Sequence, residues 1–483
     1  MMVVKSKGYD SDSRAPVSAF LCMQPQGRVT DMARLFGTDG VRGVANTELT
    51  CEIAYRLGQA AVQFMGKNII IGKDTRLSGD MLESAAAAGI MSAGGTALLA
   101  GIIPTPGVAL LVRHLHAAGG IVISASHNPP EYNGIKLFDS EGFKLPDAVE
   151  DEIEAFVRQG GLEGLAAQGE EANVMLPGDQ VGVAIPVDEA VDIYVDHAVS
   201  SVRAQGIDFK GLHIALDAGH GASSLTSARA FEELGAKVTV INDDFNGVDI
   251  NVKCGSTNLE PLHKLMEKSG ADVGVAHDGD ADRVMLVAKD GTEIDGDIIE
   301  AVCALDMRDR GILSNDTVVS TVMCNLGFVK AMEAHGIKVI QTKVGDRYVL
   351  EEMRVNGYSI GGEQSGHMIL LEHNSTGDGL MTACQFLAAV VRSGKTVDQA
   401  AQVMTHYPQT LINVHVRDKH ALEGNAEIAT AVAAAEADLA GNGRVLIRPS
   451  GTEPVVRVMV EASDAAVAEN AAKAIAEVVE RVL

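Results

Sequence analysis

Short apolar runs alternate with helix-like patterns along most of the chain. Apolar runs at 68–72 and 121–123 predict buried strands, and a shorter strand is expected around 96–100. Between them, apolar positions at helical spacing predict helices over 52–65, 80–93 and 107–116. Ser78 and Asp80 are expected to cap the second of these helices. This alternation predicts a mostly parallel α/β sheet.

The same alternation returns twice further along the chain. Residues 158–184 are glycine-rich and predicted to be irregular, and a helix over 186–203 leads into a second unit. That unit has predicted strands at 212–216, 237–241 and 272–276, with helices at 225–234 and 259–268. A third unit begins near Gly296, with strands at 317–321 and 338–341 and helices at 327–335 and 377–393. From about Pro408 the pattern becomes strand, helix, paired strands and helix, which predicts a smaller α+β domain.

The length of 483 residues is consistent with about three or four domains. We predict three similar mixed α/β domains at 32–185, 186–295 and 296–407, followed by an α+β domain at 408–483. Residues 1–31 hold one apolar stretch too short for a signal-peptide core, so we interpret them as a disordered extension with Met32 beginning the folded protein.

Composition excludes several classes of protein. The formal net charge of −26 disfavours binding to nucleic acid and to anionic membranes, and no window is apolar enough to span a membrane. An anionic ligand would therefore need a local cluster of positive groups. The six cysteines are scattered and form no CxxC pair, which indicates reduced thiols and a cytoplasmic location. The sequence leaves the oligomeric state open, a homodimer included.

One stretch, 120–136, combines a buried strand with potential catalytic groups. The strand breaks at Asn128-Pro129-Pro130, which predicts a turn, and places Ser126 at the mouth of a loop. A serine hydroxyl needs a base or an electrophilic partner to act as a nucleophile, and His127 and Lys136 lie close in sequence. Taken without the rest of the sequence, these residues are explained equally well by a structural loop. Such a loop would lead from a strand to a helix, and its polar side chains would hydrogen-bond only to the backbone.

A second stretch places three carboxylates at alternate positions. Asp278, Asp280 and Asp282 lie in a loop between two predicted strands, 272–276 and 284–288. Carboxylates this close repel one another unless a cation or protons compensate them, and an oxygen-only ligand set suits Mg²⁺ or Ca²⁺. An EF-hand is rejected, because Arg283 stands where its glycine is required and the flanks are strands. A solvated acidic turn is the alternative.

Two further loops carry polar chemistry. Residues 448–458 bring Arg448 and Arg457 together with two hydroxyls and a glycine, which predicts an anion-binding nest rather than surface ion pairing. Residues 362–367 supply Glu363, Ser365 and His367, which suit sugar hydroxyls, although a structural histidine with satisfied hydrogen bonds explains His367 equally well when the loop stands alone. Together the four loops predict phosphoryl transfer on a phosphosugar, a reaction that depends on positioning and charge neutralisation.

Four motifs occur in the order and spacing of the α-D-phosphohexomutase superfamily, and the chain resembles it over residues 32–483. They are Ser124-Ala-Ser-His-Asn-Pro129, Asp278-Gly-Asp-Ala-Asp-Arg283, Gly362-Glu-Gln-Ser-Gly-His367 and Arg448-Pro-Ser-Gly-Thr-Glu-Pro454. A subgroup acting on glucosamine phosphates is indicated by residues 36–43, 321–327 and 342–348 and by Gln364, although Cys324 stands where serine is common. The resemblance implies four domains around a central cleft, each contributing one loop.

The resemblance also implies a reaction, the conversion of glucosamine 6-phosphate to glucosamine 1-phosphate on the way to UDP-N-acetylglucosamine and peptidoglycan. Ser126 would be the phosphoserine that gives and takes the phosphoryl group, with a hexose or hexosamine 1,6-bisphosphate as intermediate and activator. The phosphate of Ser126 with Asp278, Asp280 and Asp282 would hold one Mg²⁺ per active site.

The remaining site residues follow from the same resemblance. Lys136, His127 and Arg42 are the candidates for general acid and base near Ser126. The expected substrate-binding residues are Arg283, Glu363, Ser365, His367, Arg448, Ser450, Gly451, Thr452 and Arg457. The rivals are a mutase of the same mechanism acting on glucose or mannose phosphates, a phosphosugar phosphatase using the same serine, and a non-catalytic sugar-phosphate sensor.

Overall fold

A mixed seven-stranded sheet opens the part of the chain that the computed structural model describes, which is residues 34–37, 39–167, 175–450 and 454–483. All elements below belong to one compact unit, Leu35–Leu483. The predicted extension over 1–31, together with Gly451 and Thr452, lies outside the described residues.

The first sheet has the strand order β1-β2-β6-β5-β3-β4-β7. Its strands are β1 Phe36–Gly37, β2 Gly40–Val44, β3 Asn68–Lys73, β4 Thr96–Ile102, β5 Gly119–Ile123, β6 Tyr132–Phe138 and β7 Ala184–Pro186. Its helices are α1 Cys51–Phe64, α2 Gly79–Ser92, α3 Thr105–His114, α4 Asp147–Arg158 and α5 Gly161–Ala167. Strand β3 runs parallel to β4 and β5, whereas β6 runs antiparallel to β5 and to β2.

Three expectations about this sheet were wrong. The sheet is not mostly parallel, because the turn at Asn128-Pro129-Pro130 returns the chain as β6, so the Ser126 loop joins two strands rather than a strand and a helix. Residues 158–184 are not wholly irregular, since they contain α5 and the start of β7. Ser78 stands at the N-cap of α2 but makes no side-chain cap bond, because its hydroxyl accepts from Nδ2 of Asn133 instead.

A second sheet, of order β12-β11-β10-β8-β9, presents the aspartate loop. Its strands are β8 His213–Asp217, β9 Lys237–Ile241, β10 Val273–His277, β11 Val284–Ala288 and β12 Glu293–Ile294. Its helices are α6 Ala190–Arg203, α7 Ser227–Glu233 and α8 Glu260–Ser269. The helix predicted over 225–234 is shorter, because Ala222–Leu225 forms a separate 3₁₀ turn ahead of α7.

A third sheet, of order β14-β13-β15-β16, presents the glycine-rich loop. Its strands are β13 Thr317–Thr321, β14 Lys338–Thr342, β15 Ile360–Gly362 and β16 Met368–Leu370. Its helices are α9 Gly296–Asp309, α10 Leu326–Ala334, α11 Asp346–Asn356, α12 Gly379–Ser393 and α13 Val397–Ala401.

A fourth, antiparallel sheet of order β17-β19-β18 lies towards the C-terminus. Its elements are β17 Gln409–His415, α14 Ala426–Leu439, β18 Gly443–Pro449, β19 Val455–Ala462 and α15 Ala465–Val482. The fold is therefore three mixed α/β units and an α+β unit, as the sequence pattern predicts.

One apolar core runs through the three α/β units. Buried residues such as Val108, Ile214 and Leu387 belong to a single cluster, in which Tyr194 is fully buried and donates to Asp378 at 2.7 Å. The C-terminal unit has its own core, and its buried Glu461 accepts hydrogen bonds from Asn325 and from the backbone of Leu326. Continuous packing of this kind holds the loops of the three α/β units at fixed positions. Among the described residues, no helix is long and apolar enough to cross a membrane.

Candidate active site

Ser126 lies in the tight loop between β5 and β6. It is 1% exposed, and its φ of 51° places it in the left-handed region, which side-chain-bearing residues seldom adopt. Its Oγ donates to Oδ2 of Asp278 at 2.7 Å and lies 3.4 Å from Nδ1 of His127. The nucleophile and the aspartate loop, distant in sequence, therefore meet directly.

The aspartate loop is the turn of the β10–β11 hairpin. Ligand oxygens of Asp278, Asp280 and Asp282 lie within 4.8 Å of one another, and all three residues are buried. Oδ1 of Asp280 and Oδ1 of Asp282 are buried and accept no hydrogen bond in the described structure. Buried carboxylate oxygens without donors, converging on one point, fit a hard divalent cation.

The electrostatics of the loop also fit a cation. Burial, reinforced by Asp282 and Asp280, raises the pKa of Asp278 well above its usual range. Lys136 and His367 act against burial at Asp282 and hold its pKa well below the usual range. A divalent ion would favour the ionised form of all three carboxylates.

Lys136 extends from β6 into the same cluster. It is 1% exposed, and its Nζ lies 2.9 Å from Asp280 and 3.4 Å from Asp282. Against burial, Asp280 and Asp39 raise its pKa, so the side chain is an ammonium ion in this structure. Burial together with Arg283 and Arg42 lowers the pKa of His127 to about 4, so His127 is neutral near pH 7.

The glycine-rich loop between β15 and β16 is joined to the aspartate loop through the backbone. Arg283 and His367 form an isolated β-bridge, and the amide of Val284 donates to the carbonyl of Gly366 at 3.1 Å. Nδ1 of His367 lies 3.7 Å from Oδ1 of Asp282. Oε1 of Glu363 accepts from the backbone amide of Gly345 at 3.2 Å, while Ser365 is exposed.

A series of ion pairs connects His367 to Arg42. Nε2 of His367 lies 3.4 Å from Asp346, whose carboxylate also accepts from Lys144 at 2.6 Å. Lys144 in turn pairs with Asp39, which contacts both Arg42 and Lys136. Arg42 is thus tied into the site through Asp39.

The arginine loop lies between β18 and β19. Arg448 and Arg457 are directly paired across the two strands, so their side chains share a face of the sheet. Burial, and next the like charge of Arg457, lower the pKa of Arg448. Ser450 is 3% exposed, and its carbonyl accepts from Nζ of Lys419 at 2.7 Å. Adjacent guanidinium groups are a favourable place for a dianionic phosphate.

The structure thus brings together Ser126, His127, Lys136, Arg42, the three aspartates, Arg283 and His367. Sequence reasoning missed several groups around them. Thr105 donates to Oδ2 of Asp280 at 2.6 Å, and a Cβ on Gly279 would lie 2.8 Å from the carbonyl oxygen of Ser126. Others missed are Asp39, Lys144, Asp346, Arg76 and Asn251. Only their charge or amide type marks them in the sequence, because their partners are far along the chain.

Comparison with known proteins identifies the class. Family models match the chain in order, and all four carry the description phosphoglucomutase/phosphomannomutase. They are alpha/beta/alpha domain I at 33–163, alpha/beta/alpha domain II at 192–291, alpha/beta/alpha domain III at 295–407 and the C-terminal domain at 411–478. The chain belongs to this family of phosphohexomutases, as its four motifs indicate, and it is therefore a mutase.

Curated relatives identify the subgroup of phosphohexomutases to which the chain belongs. The chain is 48% identical over 438 residues to the phosphoglucosamine mutase of Alkaliphilus oremlandii, covering 89% of this chain and 95% of that protein. It is 49% identical over 454 residues to the phosphoglucosamine mutase of Desulforamulus reducens, covering 93% and 99%. Within the phosphohexomutases, the chain belongs to the phosphoglucosamine mutases.

Solved structures share the fold. A phosphoglucomutase/phosphomannomutase family protein from Burkholderia thailandensis superposes with a TM-score of 0.75 at 23% identity, covering 93% of this chain and 97% of that one. Aspergillus fumigatus N-acetylphosphoglucosamine mutase, solved in complex with GlcNAc-6P and magnesium, gives a TM-score of 0.69 at 17% identity, covering 94% and 97%.

Proposed function

We propose that this chain interconverts glucosamine 6-phosphate and glucosamine 1-phosphate through phosphorylated Ser126. The observation that carries the proposal is the 2.7 Å hydrogen bond from Oγ of Ser126 to Asp278, inside a cluster of carboxylates with oxygens free to bind a cation. A buried hydroxyl at the edge of a cation site is placed for phosphoryl transfer, which needs charge neutralisation more than covalent strategy.

Phosphoryl transfer takes place in two steps. In the first, the bond from phosphorus to Oγ of Ser126 breaks as the free sugar hydroxyl forms its own bond to phosphorus, giving a 1,6-bisphosphate. In the second, Oγ takes the other phosphoryl group, which leaves the isomeric monophosphate. The proton of the sugar hydroxyl passes to a group beside Ser126, and among the candidates His127, which is neutral near pH 7, can accept it. Lys136, an ammonium ion in this structure, and Arg42 are the candidates for the general acid.

Mg²⁺ is the cation that we propose for the aspartate loop. Asp278, Asp280 and Asp282 supply only oxygen ligands, which hard cations prefer, and two of these oxygens accept no hydrogen bond in the described structure. When bound, the ion would neutralise charge on the transferring phosphoryl group. Thr105 and Lys136 hold the Asp280 side chain in place for this role.

Substrate recognition is assigned to the other two loops. Glu363, Ser365 and His367, with Arg283, are proposed to bind the sugar, since they lie on the loops that meet at the Arg283–His367 bridge. Arg448 and Arg457, with Ser450, Gly451 and Thr452, are proposed to hold the phosphate that is not reacting. A remote anchor of this kind positions the substrate in either orientation.

Two proposals accompany this function. The domain boundaries at 32–185, 186–295, 296–407 and 408–483 are supported by the four sheets, which span 36–186, 213–294, 317–370 and 409–462. Only the first sheet crosses a boundary, by the single residue Pro186. A cytoplasmic location suits an enzyme whose product feeds nucleotide-sugar synthesis, and the described cysteines are free thiols.

The test measures product formation by the purified protein with Mg²⁺ and a trace of hexose 1,6-bisphosphate. Glucosamine 6-phosphate is expected to give the 1-phosphate faster than glucose or mannose phosphates react, and Ser126→Ala is expected to fold and to lose nearly all activity. Faster turnover of glucose or mannose phosphates would favour the rival mutase. Release of inorganic phosphate without isomer formation would favour a phosphatase, and full activity of Ser126→Ala would refute the role of the serine.

A further inference from the structure

A buried arginine, Arg76, supports the Ser126 loop and has no part in the chemistry proposed above. It follows β3 and is 3% exposed. Its Nη2 donates to the carbonyl oxygens of Ser126 at 2.9 Å and Asn128 at 2.8 Å. Its Nη1 donates to the carbonyls of Pro129 and, at 3.0 Å, Tyr132.

The fifth N–H donor of Arg76, on Nε, is also hydrogen-bonded. Nε of Arg76 donates to Oδ2 of Asp74 at 2.9 Å. A guanidinium group has five N–H donors in a rigid fork, and here each has an acceptor, four of them backbone carbonyls of residues 126–132. Lysine, with one nitrogen on a flexible stem, cannot reach four carbonyls spread along a loop.

Other side chains hold the same loop from its flanks. Nδ2 of Asn251, between β9 and α8, donates to the carbonyl of Ser126 at 2.8 Å. Asp74 accepts from Oγ of Ser124 at 2.6 Å, and that oxygen accepts from the amide of Ser126 at 2.9 Å. A non-glycine residue such as Ser126 persists in the left-handed region only where its surroundings fix it. Among the described side chains, Arg76 makes the most hydrogen bonds to the backbone carbonyls of this loop.

We propose that Arg76 is the positioning residue of the nucleophile. It acts through the backbone of the loop, which it fixes so that Oγ of Ser126 remains directed at Asp278 and at the incoming phosphoryl group. The inference rests on the proposed role of Ser126. Because the same loop presents Ser126 when it gives and when it takes the phosphoryl group, Arg76 serves both steps alike, and it has no role in binding the sugar or the distant phosphate.

The test compares Arg76→Lys with Arg56→Lys. Arg56 also donates to a backbone carbonyl, that of Val157, but outside the Ser126 loop. A displacement of about 1 Å at a reacting group costs roughly 100-fold in rate, so Arg76→Lys should lower kcat by about that factor while KM for glucosamine 6-phosphate changes by less than about twofold. Arg56→Lys should keep the wild-type kcat. Millimolar guanidinium should restore part of the activity of Arg76→Ala but none to Ser126→Ala.

Circular dichroism and thermal unfolding report the folded fraction, and kcat is expressed per folded molecule. If Arg76→Lys does not fold, Asn251→Ala replaces it as the test, because Asn251 donates to the same two carbonyls as Nη2 of Arg76, those of Ser126 and Asn128. This variant should lower kcat and leave KM unchanged. Wild-type kcat in the folded Arg76→Lys protein, or in Asn251→Ala where that variant decides, would overturn the inference. So would a raised KM with kcat unchanged. An inactive wild type or an active Ser126→Ala would instead overturn the proposed function.

Discussion

Nζ of Lys136 lies 2.9 Å from Oδ2 of Asp280, at a position where the lysine is 1% exposed. This buried ammonium compensates part of the charge of three carboxylates that would otherwise repel one another. We expect Lys136→Met to lower the melting temperature in the presence of a chelator and to increase the stabilisation by added Mg²⁺. Thermal unfolding at several Mg²⁺ concentrations measures both effects.

The control for this comparison is Lys289→Met. Lys289 pairs with Asp272 at 3.0 Å but is 57% exposed, so its removal should cost no more than about 1 kcal/mol and leave the Mg²⁺ dependence unchanged. Equal Mg²⁺ dependence in Lys136→Met and the wild type would show that Lys136 does not compensate the site.

Removal of the cation should abolish turnover. An excess of a strong chelator is expected to stop the mutase reaction, and added Mg²⁺ to restore it, because two of the aspartate oxygens accept no hydrogen bond from the described residues and can bind the ion. Asp280→Asn should weaken Mg²⁺ binding in calorimetry by about tenfold or more, a change typical of altered metal-site residues. Asp290→Asn, at an exposed position, should bind as the wild type does. Full activity in chelator would exclude a metal role.

Gly279 allows the aspartate loop to approach the nucleophile. A Cβ there would lie 2.8 Å from the carbonyl of Ser126 and 2.9 Å from Nδ2 of Asn251. Gly279→Ala is therefore expected to displace the loop and to lower kcat by roughly 100-fold. Gly178→Ala, where a Cβ meets no atom within 4 Å, should leave the rate unchanged. Steady-state kinetics distinguish the two variants. A wild-type rate for Gly279→Ala would show that the aspartate loop accommodates the extra methyl group without displacing the catalytic groups.

The sequence predicts some strands residue for residue, among them β9, β11 and β13, because β11 is an uninterrupted apolar run and the other two are rich in valine and threonine, which favour strands. It also points to Ser126 and the aspartates, since the chemistry of each loop is contained in a few consecutive positions. The return of the chain as β6 was not predicted, because a proline turn marks a change of direction without specifying whether a strand or a helix follows.

The supporting residues of the site could not be found from local pattern. Arg76 bonds the carbonyl of Ser126 across 50 positions, and Asn251 bonds it across 125. Their acceptors are backbone oxygens, which every residue possesses, so no side-chain pattern marks the pairing. Lys144 and Asp346 are also hidden from local pattern, because the two side chains of this ion pair are 202 positions apart.

The arginine loop should control substrate binding. Removing a charged hydrogen-bond donor to phosphate costs about 1.5–3 kcal/mol, so Arg448→Met should lower kcat/KM by roughly 10- to 100-fold. Inorganic phosphate should also become a weaker competitive inhibitor. Arg481→Met, which removes an exposed arginine paired with Glu427, serves as the control in the same domain. An unchanged kcat/KM in Arg448→Met would separate this loop from substrate binding.

Glu300 on α9 should make stability depend on pH. Burial, reinforced by Asp297, raises the pKa of this fully buried carboxyl well above its usual range. The unfolded chain releases the proton above a pKa of about 4.3, whereas the folded chain retains it, so the associated stability is fully present below that pH and is lost as pH rises towards the folded pKa. Each pH unit in this window costs up to about 1.4 kcal/mol.

Glu300→Gln cannot ionise and should remove this loss. Melting temperatures of the variant and the wild type are therefore expected to diverge between pH 5 and pH 8, with the variant relatively more stable at the higher pH. Glu267→Gln, at an exposed position on α8, should keep a constant difference from the wild type across the same range. Parallel pH profiles for Glu300→Gln and the wild type would mean that Glu300 is ionised in the folded protein, since only an ionised folded form makes its contribution independent of pH above 5.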